Sequence, residues 1–237
     1  MKRNDFKRGL IDGIPICLGY LSVSFAFGIF AVESGLSIGE ALLISMTCVT
    51  SAGQLAAVPI IAAAGGLMEL AISQLVINMR YALMSISLSQ KLNRNVTLAN
   101  RFAIAFVNTD EVFAVASSQK GSVSKWYMYG LMITPWLGWS SGTLIGAVAG
   151  NVLPAIVTSS LGVAIYGMFI AVVVPEAKKS RPTAVCVAIA VMLSCLFYYV
   201  PVLSAIPSGF TIIICAVVAS VIMAVAAPIE PEVEADA

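Results

Sequence analysis

Four long stretches of this chain carry no Asp, Glu, Lys or Arg: 13–32, 41–68, 126–175 and 182–229. A bilayer core takes about 20 apolar residues per helix. The first two stretches each fit one crossing or a hairpin, and the last two are each long enough for a pair of helices. A soluble domain is roughly 45–50% apolar and about 25% charged, whereas this chain is 59% hydrophobic and 11% charged. The pattern predicts an all-α polytopic membrane protein with about six to eight transmembrane segments.

The remaining composition narrows the function. A net charge of +1 with no basic surface gives no reason to expect nucleic acid. The five cysteines all lie in apolar runs without a CxxC pair, and the chain has no histidine, so no metal site or cofactor is expected. They read as small buried hydrophobes with free thiols. An enzyme would need a nucleophile–base pair or a metal, and neither is visible. No P-loop appears either.

Read in order, residues 1–12 form a basic tail containing Lys2, Arg3, Lys7 and Arg8. The first helix is expected from Gly13, with Pro15 in its opening turn where proline is tolerated. Residues 41–68 are too long for one ordinary crossing. They are interrupted by Thr50-Ser51-Ala52-Gly53-Gln54, Pro59 and Gly65-Gly66, marks of a broken helix. A third segment runs over 67–88, followed by a polar linker with Lys91, Arg94 and Arg101. The apolar run 102–119 is interrupted by Asn108-Thr109-Asp110-Glu111. Further helices are expected over 126–150, 159–174, 183–200 and 210–227. The tail 228–237, with Glu230, Glu232, Glu234 and Asp236, reads as acidic and disordered. The segment 13–227 is taken as a single transmembrane domain.

Basic loops prefer the cytoplasm. That rule puts the amino-terminal tail, the Lys120–Lys125 loop and the Lys178–Arg181 loop inside, with both chain ends cytoplasmic. Simple crossings throughout, about eight of them, strand the basic 90–101 linker outside. If 41–68 and 102–119 are re-entrant hairpins instead, about six full crossings remain and the conflict disappears. Both polar interruptions then lie near hairpin tips at mid-membrane.

Three clusters are candidates for a solute pathway. The third segment carries Asn78 and Arg80 near its centre. A charge there costs roughly 2.5–3.5 kcal/mol on insertion scales, so it needs a partner, a wet cavity or a task. At about 100° per residue, Glu69, Ser73, Arg80 and Ser87 fall on one side and Gln74, Asn78, Tyr81 and Ser85 on the other. Such a helix belongs among other helices. Asp110 or Glu111 is the natural partner of Arg80, either as a fold lock or as a site that handles a proton or a zwitterion. Ser51, Gly53 and Gln54 offer a hydroxyl, a flexible glycine and an amide where a helix unwinds, a place suited to an anionic group. Thr109 opens the third cluster. Separately, Gly138, Gly142, Gly146 and Gly150 form consecutive GxxxG spacings, a groove for close helix packing. Trp126, Tyr127 and Tyr129 nearby read as interfacial anchors.

The three clusters, in this order, resemble the AzlC family, the large subunit of branched-chain amino-acid exporters. They stand here as Ser51-Ala52-Gly53-Gln54, Asn78-Met79-Arg80-Tyr81 and Thr109-Asp110-Glu111-Val112-Phe113. Leu161-Gly162 before Phe169-Ile170, and a helix ending at Val174-Pro175, look similar as well. The adjacency of Gly53 and Gln54 departs from the family pattern, which often has a residue between them. The resemblance implies export of hydrophobic amino acids across the cytoplasmic (inner) membrane with a small, very hydrophobic AzlD-type partner. The leading expectation is therefore a secondary exporter driven by the proton gradient. The alternative is a channel-like or accessory subunit with no solute site of its own.

Overall fold

The computed structural model describes residues 2–154, 167, 170, 173–175 and 177–227. Its contacts gather into two compact units, Met1–Tyr166 and Gly167–Ala237. The first contains α1 (Lys2–Glu33), α2 (Ile38–Thr47), α3 (Ser51–Ala62), α4 (Leu67–Lys91), α5 (Leu98–Ala105), α6 (Asp110–Ser117) and α7 (Lys125–Val152). The second contains α8 (Arg181–Tyr199) and α9 (Ser208–Ala226), which pack on each other. Ser180 caps α8 by accepting the Thr183 amide at 3.3 Å. Most of the expected 159–174 helix, Leu161-Gly162 included, and the acidic tail lie outside the described residues.

The described chain is helical without named strands, as an all-α membrane protein requires. Among the described residues three helices, α1, α8 and α9, are long and apolar enough to cross a bilayer by length and composition. At 1.5 Å per residue α4 is also about 37 Å long, and α7 about 42 Å. Both carry polar or small residues inward, which lowers their hydropathy without shortening them.

The first helix begins at Lys2, and the expected start at Gly13 is corrected. Tertiary contacts extend it. Ser124 donates to Asp5 at 2.8 Å, Tyr127 donates to Asp12 at 2.7 Å, and Arg8 pairs with Asp12 one turn on at 3.9 Å. Pro15 consequently sits inside the helix and not in its opening turn.

Helices α1 and α7 run parallel in close contact along their whole length. A Cβ added to Gly138 would fall 2.7 Å from the Cys17 carbonyl oxygen, and one on Gly142 2.5 Å from that of Leu21. Gly146 faces Phe25 in the same way, and Gly150 faces Ile29 and Val32. The GxxxG groove is thus filled from within the chain. The contact also extends beyond the expected stripe, since Gly130 meets Phe6 and Leu10, and Gly9, Gly13 and Gly28 on α1 approach α7 reciprocally.

Between these rods the chain makes two hairpins that enter from opposite ends. Helix α2 leaves the Glu33 end, where Ser37 and Glu40 form a capping box. It reaches the level of Thr143 and Trp136, where Ser45 bonds the Thr143 hydroxyl at 2.6 Å and Trp136 donates to Met46 at 3.1 Å. The helix stops at Thr47 and restarts at Ser51. Helix α3 then returns, for Val58 is buried with Phe27, Ala31, Leu36, Ala41 and Ala147. The second hairpin, α5 and α6, starts and finishes at the other end. There the Asn93 amide donates to the Val123 carbonyl and the Val123 amide to Lys91, both at 2.9 Å. Tyr129 donates to Asn100 at 2.6 Å, and Arg8 to Gln119 at 2.5 Å. The 90–101 linker, the 119–124 loop and the start of α1 therefore share one end of the unit. That is the arrangement of the re-entrant alternative. The physical reason is the polar Phe106–Thr109 break, which turns the chain back before it has gone far enough to cross.

Two outcomes follow from this geometry. Gly146→Ala and Gly28→Ala press a methyl onto backbone across the α1–α7 contact, and overpacking of this kind costs about 1–3 kcal/mol. Gly19→Ala, whose Cβ meets nothing within 4 Å, is the neutral control. Thermal unfolding of the detergent-solubilised protein separates them. Accessibility labels at Asn95 and Ser122 are expected to report the same side of the membrane, and opposite sides would overturn the hairpin.

Candidate functional site

Helix α4 touches both hairpin tips with one face. Gln74, Asn78, Tyr81 and Ser85 lie on a common side at helical spacing. Toward the α2–α3 tip, Gln74 Nε2 donates to the Gly53 carbonyl at 2.9 Å, and Asn78 Nδ2 donates to Gln74 Oε1 at 3.1 Å. Toward the α5–α6 tip, Asn108 Nδ2 donates to the Ser85 hydroxyl at 3.0 Å. Between these contacts Arg80 Nη2 meets Asp110 Oδ2 at 2.7 Å and donates to the Tyr81 hydroxyl at 3.0 Å. The Arg80 guanidinium also lies 4.9 Å from the Tyr81 ring centroid.

Of the two acids expected as partners of Arg80, Asp110 makes the pair. Its side chains are 56% and 46% exposed, so the pair opens onto the surface of the first unit and is not sealed in a core. A surface pair of this kind in water contributes about 0–1 kcal/mol. At membrane depth each partner needs the other much more, because neither can be left bare in hydrocarbon.

Glu111 takes a different partner. The buried Tyr20 hydroxyl donates to its carboxylate and also contacts Thr109 Oγ1 at 2.6 Å. Thr109 caps α6 by accepting the Val112 amide, and Asp110 and Glu111 fill the first turn of that helix. Carboxylates are stabilised there by the positive end of the helix dipole.

Gln54 is drawn away from the other candidates. It is fully buried, accepting from Trp139 Nε1 at 2.6 Å and donating to Ser45 at 2.7 Å. Ser51 opens α3 half-buried, and the preceding Thr50 side chain makes no cap bond. Gly53 is buried tightly between Thr50 and Gln74. The clusters are nonetheless linked. Tyr20, which holds Glu111, packs edge-on against Trp139, which holds Gln54, with ring centroids 5.0 Å apart. Both tips therefore meet the α1–α7 pair at one level.

The sequence reading assigned no site role to Tyr20, Trp139, Ser45 or Thr143. The available signal was depth. Tyr20 and Trp139 lie far from the helix ends where membrane aromatics usually sit, and a buried Tyr or Trp seeks a partner for its polar atom. Trp139→Phe is expected to leave Gln54 Oε1 without its donor, at about 1–3 kcal/mol. In the Gln54→Leu background the same change should cost much less. A double-mutant cycle on unfolding midpoints checks this, and additive losses would mean the bond carries no weight.

Comparison with known proteins finds relatives that are membrane proteins. The family model for AzlC protein matches residues 15–153, from α1 to the end of α7. The inner membrane protein YgaZ of Escherichia coli is 29% identical over 192 residues, 78% of each chain. A membrane protein of Archaeoglobus fulgidus is 30% identical over 175 residues, covering 73% of this chain and 76% of its own. One from Helicobacter pylori is 27% identical over 149 residues, 62% of this chain and 64% of its own. No solved structure matches. With the matched span containing both hairpins and the helices that hold them, this chain is a membrane protein of the AzlC family.

Proposed function

We propose that the protein is a secondary exporter of branched-chain or similar hydrophobic amino acids across the cytoplasmic membrane. The observation that supports it most is the half-open Arg80–Asp110 pair, placed where two helix breaks converge on α4. Broken helices at membrane depth line protected or watered cavities. A zwitterion entering such a cavity can exchange ion pairs with the protein. Its carboxylate takes Arg80 and its ammonium takes Asp110, so no charge is stranded as the solute binds or leaves. The uncapped start of α3 adds backbone amides beside the same face. An aliphatic side chain would meet the apolar residues that surround these groups.

The drive in this reading is the proton gradient, and a small AzlD-type membrane subunit completes the complex. Both chain ends lie in the cytoplasm, following the basic residues of the first helix and the 119–125 loop, and about six full crossings remain once the hairpins are set aside. The protein performs transport without bond-making chemistry.

Leucine or valine efflux from preloaded vesicles, with the small subunit present, tests the reading. Uncoupler should abolish efflux. Arg80→Ala should lower it by more than about tenfold in correctly inserted protein, since Asp110 is left at membrane depth without its counter-charge and the solute carboxylate without its cation, while Arg80→Lys should retain part of it. Efflux at the level of the native protein in Arg80→Ala would reduce the pair to a fold lock. No efflux of any aliphatic amino acid with the partner present would favour an accessory subunit.

A further inference from the structure

Three buried side-chain polar atoms among the described residues have no hydrogen-bond partner: Asn78 Oδ1, Asn108 Oδ1 and Ser140 Oγ. A serine hydroxyl can turn to find an acceptor, but the two amide oxygens cannot be relieved so easily. Asn108 is only 3% exposed. Each asparagine has its NH2 group committed to an α4 side chain, Asn78 to Gln74 and Asn108 to Ser85, and that bond fixes its oxygen as an acceptor. A buried carbonyl left unmet gives up its bonds to water with nothing in return, at a net cost to the fold. Two such costs, one at each hairpin tip and both against the same face of α4, call for an explanation in function.

The missing component at both places is a hydrogen-bond donor. Asn78 and Ser85, the residue that holds Asn108, are separated by two turns of α4, about 10 Å. Arg80 and Tyr81 lie between them. We propose that the amide oxygens of Asn78 and Asn108 are two successive acceptors for the ammonium group of the transported solute, one beside each hairpin tip. A single amino acid is too short to occupy both at once, so it uses them in turn as it passes along α4. The two asparagines are thereby the residues that distinguish an amine-bearing solute from a carboxylic acid without one. The proposal rests on the transport reading only in taking this face of α4 as the solute's route.

The test compares three ligands on purified protein with its partner subunit in nanodiscs. Leucine carries both charged groups, 3-methylbutylamine lacks the carboxylate, and 4-methyl-2-oxopentanoate lacks any N–H donor. Affinities come from ligand-induced shifts in thermal midpoint. The native protein should bind leucine at least about tenfold more tightly than the oxo acid, the discrimination of one or more hydrogen bonds to a buried acceptor. It should also bind the amine. Asn78→Ala and Asn108→Ala should each cut the preference for leucine over the oxo acid several-fold. Asn108→Asp, which keeps an acceptor in place, should preserve it and decides the matter if the alanine variant does not insert. Equal binding of leucine and the oxo acid, no binding of the amine, or an unchanged preference in both alanine variants would overturn the proposal. Leucine efflux without this discrimination would sink the asparagine assignment alone. Asparagine-dependent binding of the amine without leucine efflux would sink the exporter reading and leave the assignment standing.

Discussion

The glycine-mediated contact between α1 and α7 is what the rest of the first unit depends on. Glycines on both helices let the backbones approach until carbonyls and Cα atoms touch, a packing that gains dispersion energy where lipid supplies no hydrophobic force between helices. Such a contact tolerates little sliding, because each Gly faces one residue across the seam. It therefore fixes the relative height of Tyr20 and Trp139, and these two set the level at which both hairpin tips stop.

Breaking a helix inside a membrane frees backbone groups that water cannot satisfy. The two breaks here are met differently. At α6 the Thr109 side chain caps the helix and two carboxylates occupy its positive end. At α3 the Thr50 side chain gives no cap, and Gln74 reaches over from α4 to the Gly53 carbonyl. The polar face of α4 is thus part of the covering that makes the breaks possible. Gln54, fully engaged by Trp139 and Ser45, belongs to the framework as well, while Arg80 and Asp110 remain half-open.

Much of this was legible in particular residues. The interruptions read around Thr50–Gln54 and Asn108–Glu111 fall where α2 and α5 end and the chain turns back, and Arg80, read as needing a counter-charge, finds one in Asp110 from within an unbroken α4. That Arg80 pairs with Asp110 or Glu111 followed from having few acids at depth to choose from, and the fold selects Asp110. The helical start at Lys2 was not legible, because what extends α1 is a set of bonds from Ser124, Tyr127 and Gln119, distant in the chain. Nor could the sequence separate Gln54 from its neighbour Gly53 in role, since adjacent residues on a helix point toward different partners.

Residue types alone say that the chain is a set of apolar helices with two interrupted segments and a cation that needs a counter-charge. Those features follow from local hydropathy and from the cost of burying charge, and both can be read from residue types. It takes the packed fold to show that the interruptions meet at one height, that α4 presents Gln74, Asn78, Tyr81 and Ser85 to both of them, and that Tyr20 and Trp139 join the two. Those relations are set by how closely α1 and α7 approach and in what register, a property of two surfaces together that neither stretch of sequence contains.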